Sequence, residues 1–262
     1  MSFSFKSGSL PILISIPHHG SRIPAEIAAT MTADGRSCRD TDWFLEQLYD
    51  FPETREASFI IAELSRYVID LNRPSDNESL YPGQTTTGLI PETCFDGAAV
   101  YCEGKFPQAA EVGRRIREIW RPYHERIRAE LDRMVAEHGL AVLIDAHSIA
   151  SRVPRLFEGV LPDFNLGTNY GVTCAPSLQQ AVVDVLEHQA EYSFVVNGRF
   201  VGGHITRHFG DPQHRIHALQ IELSQATYMD EATLKWDDEK ASKVQPVFRR
   251  IVQAIGDWIP HQ

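Results

Sequence analysis

Short apolar, β-branched runs alternate along the chain with longer stretches of helical periodicity. Segments 12–16, 59–62, 67–71, 141–145, 194–196 and 219–223 read as strands, several of them apolar enough to be buried on both faces. Helical spacing predicts helices over 41–50, 107–138, 177–189 and 238–258. This alternation is the mark of an α/β fold, a mixed and mostly parallel sheet flanked by helices. Pro122 and Pro246 fall inside two of the helices, where each removes an internal hydrogen bond, so a kink or break is expected at both. The Gly/Pro/Ser/Thr-rich stretch 72–104 is longer than a connection needs, which points to a function for it. With no repeat, low-complexity tract or linker, residues 1–262 read as a single domain.

Charge narrows the partners. Thirty-five acidic against 25 basic residues give a formal net charge of −10, a field that repels polyanions, so no nucleic acid is expected to bind. A small anionic ligand would need arginines to reverse the sign locally. The four cysteines, Cys38, Cys94, Cys102 and Cys174, form no CxxC pair, and a chain of this size needs no disulfide framework; a reducing cytoplasm is expected. The one signal-like run, 10–17, leads into Pro17-His18-His19-Gly20 without a small-residue cleavage site. No stretch approaches the ~20 apolar residues of a membrane span. Serine elbow, phosphate loop, dinucleotide fingerprint and HExxH zinc helix are all missing from the sequence.

Ligands in open α/β sheets bind beyond the carboxyl ends of the strands, so the residues just past each strand are the first candidates. The ends carry Pro17-His18-His19-Gly20-Ser21-Arg22, Asp70-Leu71-Asn72-Arg73-Pro74 and Asp145-Ala146-His147-Ser148, and the last strand carries Glu222. His18 and His147 are the candidate metal ligands, since neutral imidazole suits zinc and a catalytic zinc takes three protein ligands. Asp40 and Asp42 are the nearest third ligands; the competing readings are a helix N-cap for Asp40 and a first-turn acid for Asp42. His19 should point away from His18, because successive residues of an extended chain face opposite sides. His204 and His208 stand four apart but are bracketed by Gly202-Gly203 and Gly210, which argues against a helical pair. His124, His138, His188 and His261 read as surface histidines of helices. Glu222 is either a solvated strand carboxylate or a general base, and spacing alone does not choose.

Five motifs in order resemble the N-formylglutamate amidohydrolase (deformylase) family: residues 17–24, Asp40-Thr41-Asp42-Trp43, Asp70-Leu71-Asn72-Arg73-Pro74, residues 202–207, and residues 220–225 with Tyr228-Met229-Asp230-Glu231. The resemblance spans 12 to about 231. It implies a phosphorylase/hydrolase-like α/β fold, with the layout of zinc carboxypeptidases, and a Zn2+ or other divalent-metal hydrolase. Carried over, His18 and His147 are metal ligands, Asn72 and Arg73 grip substrate, Arg73 also stabilises the oxyanion, and Glu222 is the base. Ser21 stands where those relatives place a glutamate ligand, so the carboxylate must come from elsewhere; Asp40 is chosen, with Asp42 as the alternative. Phe44 and His204 stand where the family often has histidine and tyrosine. The implied reaction is hydrolysis of N-formyl-L-glutamate to formate and glutamate in histidine degradation, on a small acidic N-acyl amino acid as ligand. Arg73 and Arg207, with Thr206 beside the latter and Arg22 as a further cation, are the candidate substrate-binding groups. The alternatives are another metal-dependent N-acyl amino acid amidohydrolase or carboxypeptidase-like enzyme, and a non-catalytic binding protein for acidic amino-acid derivatives.

Overall fold

A computed structural model describes residues 2–80, 83 and 85–261. Seven strands form one sheet: β1 (Phe3–Lys6), β2 (Ile12–Ile16), β3 (Ser58–Ala62), β4 (Ala141–Ile149), β5 (Phe164–Gly167), β6 (Phe194–Val196) and β7 (Ile216–Ser224), in the spatial order β1-β3-β2-β4-β7-β5-β6. The central strands β3, β2, β4 and β7 are parallel; β1 joins β3 and β5 joins β7 antiparallel. The helices are α1 (Ala25–Ala28), α2 (Ala33–Ser37), α3 (Leu45–Leu48), α4 (Ala109–Arg115), α5 (Arg121–His138), α6 (Pro176–Glu187), α7 (His204–Phe209) and α8 (Asp238–Trp258).

The period of two along the strands sorts the core into two layers. Ile12, Ile14 and Ile16 of β2, Val142 and Ile144 of β4, and Leu219, Ile221 and Leu223 of β7 pack against α6 and α8. Leu13, Leu143 and Ala218 face the other way, into the layer holding Tyr123, Ile127 and Leu131 of α5 and Ile205 and Phe209 of α7. Strand alternation therefore sends Asp145, His147, Gln220 and Glu222 to the α5/α7 side, at the carboxyl ends of β4 and β7. The register pairs Asp145 with Gln220 and His147 with Glu222.

Three expectations are corrected. Segment 67–71 is a turn rather than a strand: Val68 N–H donates to Ser65 O and Asp70 N–H to Leu89 O, while Tyr67, Val68, Ile69 and Leu71 are buried. A short apolar run reports burial, and burial alone does not specify a strand. Of 41–50 only Leu45–Leu48 is helical, because Thr41 and Asp42 turn back to donate to Cys38 O and His18 O, and Phe44 takes a left-handed φ of 60°. At Pro246, α8 runs on without interruption. Its buried face includes Val244, Val247, Phe248, Ile251, Val252 and Ile255. At about 1.5–3 kcal/mol for each such side chain, that face outweighs the ~3 kcal/mol of an internal proline. At Pro122 the expected irregularity is present as a π-helical turn, Ile116–Trp120, just ahead of α5. Strands β1 and β5 are not predicted because Phe3-Ser4-Phe5-Lys6 and Phe164-Asn165-Leu166-Gly167 interrupt their apolar residues with polar ones or glycine and show no continuous apolar run. No described helix is long and apolar enough to cross a membrane.

Candidate active site

Just past the end of β2 and within the carboxyl-terminal part of β4, two buried imidazoles meet one buried carboxylate. His18 Nδ1 lies 3.8 Å and His147 Nδ1 3.0 Å from Asp42 Oδ2. Candidate ligand atoms of His18, Asp42 and His147 all fall within 4.8 Å of one another. Each ring is backed by a second acid: His18 Nε2 is 2.7 Å from Asp70 Oδ1, and His147 Nε2 is 3.0 Å from Asp145 Oδ1. A carboxylate behind an imidazole keeps the proton on the nitrogen facing it and turns the other lone pair outward. Two imidazoles and a carboxylate, buried and backed in this way, fit a divalent ion that keeps one open position.

The surroundings set the charge. Arg66 is buried between two of the acids, with Nη2 donating to Asp70 Oδ2 at 2.8 Å and Nη1 3.9 Å from Asp42 Oδ1. Burial would raise the Asp70 pKa, but His18, Arg66 and Arg73 overcome it and hold the carboxyl well below its usual range. Glu222 is the opposite case. Burial, with Asp42 and Asp145 adding to it, outweighs His147 and Arg66 and pushes its carboxyl up to about 8. A proton acceptor poised near neutrality at the edge of a ligand cluster is suited to general-base work.

Asn72 ties the elements together. Its Nδ2 donates to Asp145 Oδ2 at 3.1 Å and lies 2.8 Å from His147 Nε2, while its Oδ1 accepts from Ile205 N–H at 2.7 Å. That last bond satisfies one of the open donors at the start of α7. A Cβ at Gly203 would sit 2.3 Å from Asn72 Nδ2, so no side chain fits there. Gly203→Ala should displace Asn72, costing about 1–3 kcal/mol of stability. It should also lower metal retention, measurable as a fall in Tm together with metal content; an alanine variant with parental values of both would show that Asn72 gives way freely.

His18, Asp42, Glu222, Asn72 and Arg73 all line one cavity, about 560 Å³ when the space at its mouth open to solvent is included, shared with Arg66, Thr86, Thr87, Phe95, Leu156, Arg199, Phe200 and Gln220. Asn72, Arg73, Thr86, Thr87 and Phe95 come from the long 72–104 stretch.

The model of the N-formylglutamate amidohydrolase family matches residues 10–229. The chain belongs to that family. Within the N-formylglutamate amidohydrolases, an N-formylglutamate deformylase of Pseudomonas aeruginosa is 49% identical over 256 residues, covering 97% of this chain and 96% of that protein. One from Pseudomonas putida is 48% identical over the same shares. In structure, the chain superposes on the N-formylglutamate amidohydrolase of Ralstonia eutropha JMP134 with a TM-score of 0.84 at 24% identity, over 99% of both chains. A gene product of Agrobacterium tumefaciens gives 0.75 at 17% identity, over 98% of this chain and 96% of that one. These two likenesses show the fold; the family match and the relatives nearly half identical make the chain an enzyme, a hydrolase.

In this N-formylglutamate amidohydrolase family member, Asp42 stands where Asp40 was expected. Asp40 Oδ2 accepts from Phe95 N–H at 2.7 Å, and its side chain lines a neighbouring cavity with Ser37, Arg39 and Arg152. The hydrogen bond from Asp42 N–H to His18 O, at 3.0 Å, brings the later acid to the histidines. Thr206 lies behind the site, donating to Asp145 Oδ2 at 3.0 Å, and so positions an acid rather than touching the cavity. Arg207 donates to Gly202 O and Leu80 O, and Arg22 is exposed and pairs with Glu63; neither lines the cavity. His204 and His208 do lie on a helix, α7, with rings stacked 5.0 Å apart, outside the metal-type cluster. His124 is buried on Trp120, ring centroids 3.7 Å apart, and burial pulls its pKa down to about 3; His138 and His188 are exposed as expected. The side chain of His261 lies outside the described residues. His19 faces Glu46 at 3.7 Å, away from His18's partners.

Arg66, and the placement of Asp70 and Asp145 behind the two imidazoles, are the features of the candidate site that sequence reasoning missed. The available signal was a charged residue set in an otherwise apolar run, as in Arg66-Tyr67-Val68-Ile69-Asp70, since charges are seldom buried without a partner.

Proposed function

We propose that this chain is a zinc-dependent N-formylglutamate deformylase, hydrolysing N-formyl-L-glutamate to formate and L-glutamate as a step of histidine degradation in the cytoplasm. The observation that carries the reading is the His18, Asp42 and His147 cluster opening on the same cavity as Glu222 and Arg73. The substrate assignment draws on the deformylase relatives at 48–49% identity. The four unpaired cysteines accord with a reducing compartment.

His18, Asp42 and His147 would hold the zinc, which when bound would supply Lewis-acid polarisation and make water easier to ionise near neutral pH. The chain's own groups do the rest. Glu222 accepts the proton of the attacking water as its oxygen bonds to the formyl carbon, and returns it to the nitrogen as the C–N bond breaks. Arg73, half-buried on the cavity wall, is placed to offset the negative charge that develops on the carbonyl oxygen. Asn72 and Asp145 hold the His147 ring in place.

Chelation tests the reading. Dialysis against EDTA should abolish formate release from N-formyl-L-glutamate, and Zn2+ added back in stoichiometric amount should restore it. Full activity in protein shown metal-free by elemental analysis would overturn the metal-dependent mechanism. Protein that is fully zinc-loaded yet releases no formate would overturn the substrate assignment.

A further inference from the structure

Resting on that reading, we infer that Arg199 is the specificity-determining residue for an acidic side chain. It forms, with Arg73, a two-cation clamp for the two carboxylates of the substrate. A chain with a net charge of −10 must supply local cations to hold a dianion. Three arginines line the cavity: Arg66, Arg73 and Arg199. Arg66 is committed to Asp70 and lies beside Asp42, so its charge is answered within the protein. Among the described residues Arg73 donates to neutral oxygens, from Nη1 to Asn72 O, from Nε to Thr87 O and from Nη2 to Thr87 Oγ1.

Arg199 reaches the same short segment from the other side. Its Nη2 donates to Thr85 O at 3.0 Å and its Nε to Leu156 O at 2.8 Å, with the guanidinium 5.4 Å from the Phe200 ring centroid. Segment 85–87 thus sets the spacing between the two guanidinium groups. A carboxylate is a stronger partner for a planar guanidinium than a backbone carbonyl, because both of its oxygens pair with the fork and it carries the charge. An incoming dicarboxylate therefore competes well for both arginines.

The assignment of each carboxylate follows from bond count. In N-formylglutamate the α-carboxylate is two atoms from the formyl carbon, through N and Cα, and the side-chain carboxylate four. Arg73 adjoins Asn72, which touches His147, so Arg73 takes the α-carboxylate. Arg199, anchored on Leu156 and Thr85, takes the side-chain carboxylate. A neutral side chain gains no ion pair from Arg199.

The experiment compares formate release from N-formyl-L-glutamate and from its near-isosteric amide, N-formyl-L-glutamine, by zinc-loaded wild type, Arg199→Gln and Arg199→Lys. Wild type should prefer the acid, and Arg199→Gln should cut that preference in kcat/KM by at least about 30-fold, the low end for removing one partner of a desolvated charge pair, with the loss lying in KM. Arg199→Lys, which keeps the charge but loses the fork, should fall between the two, and it carries the test if the glutamine variant does not fold. An undiminished preference in a folded variant overturns the clamp, as does a wild type that turns over acid and amide equally well. Absence of formate release by zinc-loaded wild type from either compound overturns the deformylase reading itself, a result distinct from a lost preference.

Discussion

Asp42→Asn should strip the protein of its metal and its turnover, while Asp40→Asn, two residues away, should leave both close to parental values. Removing the carboxylate charge takes away one of three ligands that lie within 4.8 Å of one another. Asp40 spends its Oδ2 on Phe95 N–H instead. Removal of an acid that merely backs a ligand typically costs 10–100-fold in metal affinity. Asp70→Asn, behind His18, is expected within that span, and Asp42→Asn beyond it. Elemental analysis and competition with a chromogenic chelator read all three. Equal loss in the Asp40 and Asp42 variants would return the ligand role to the turn as a whole and refute the assignment.

Glu222→Gln should keep the metal and lose at least about 10²-fold in kcat, because the amide preserves shape but accepts no proton. The pH profile adds a signature. In the chain without metal the Glu222 carboxyl is pushed up to about 8 by burial, from 4.5, and a neighbouring dication pulls it down again. The acid limb of kcat/KM is thus expected between those two values, and it should vanish from the residual activity of the glutamine variant.

The same shift has a stability consequence with a definite sign. A carboxyl whose pKa is higher folded than unfolded binds more protons in the folded state, so its contribution is whole below 4.5 and is lost as pH rises through about 8. Metal-free Glu222→Gln should therefore melt at a higher temperature than the metal-free parent, by a margin that widens from pH 4.5 to 8. A constant margin would place the Glu222 carboxylate in solvent, contrary to its burial.

The sheet and the two long helices were legible because their signals are periodic. Residues 238–258 repeat apolar positions at helical spacing, strongly enough for α8 to form over its predicted length despite Pro246. His18, Asn72, His147 and Glu222 were legible as candidates because each lies in a strand or just past one in the sequence reading, where topology sends ligands to one rim. The choice between Asp40 and Asp42 was not legible, since two acids in one turn differ only in which backbone N–H reaches His18 O. Arg199 lies beyond a short edge strand, β6, in a segment without periodicity, and nothing local marks it as a neighbour of residues 85–87. The helix at His204 was hidden for a related reason: flanking glycines argue against a helix locally, and the bond that supports its start comes from Asn72, more than a hundred positions earlier.

The two-layer core also decides where this chain tolerates changes of length. Toward the carboxyl ends of β4 and β7 alternate residues, Asp145 and His147, Gln220 and Glu222, face the site, and the residues between them pack on the α6 and α8 side. Deleting or inserting one residue ahead of His147 or Glu222 would turn Leu223 or Ala146 toward the cavity and drive a carboxylate or an imidazole into the apolar layer. Such a lesion removes catalysis and core together, so these strands can drift in sequence but not in count. Changes of length are left to the loops between strands, and those loops, 72–104 above all, are where relatives with other acyl or side-chain preferences would diverge.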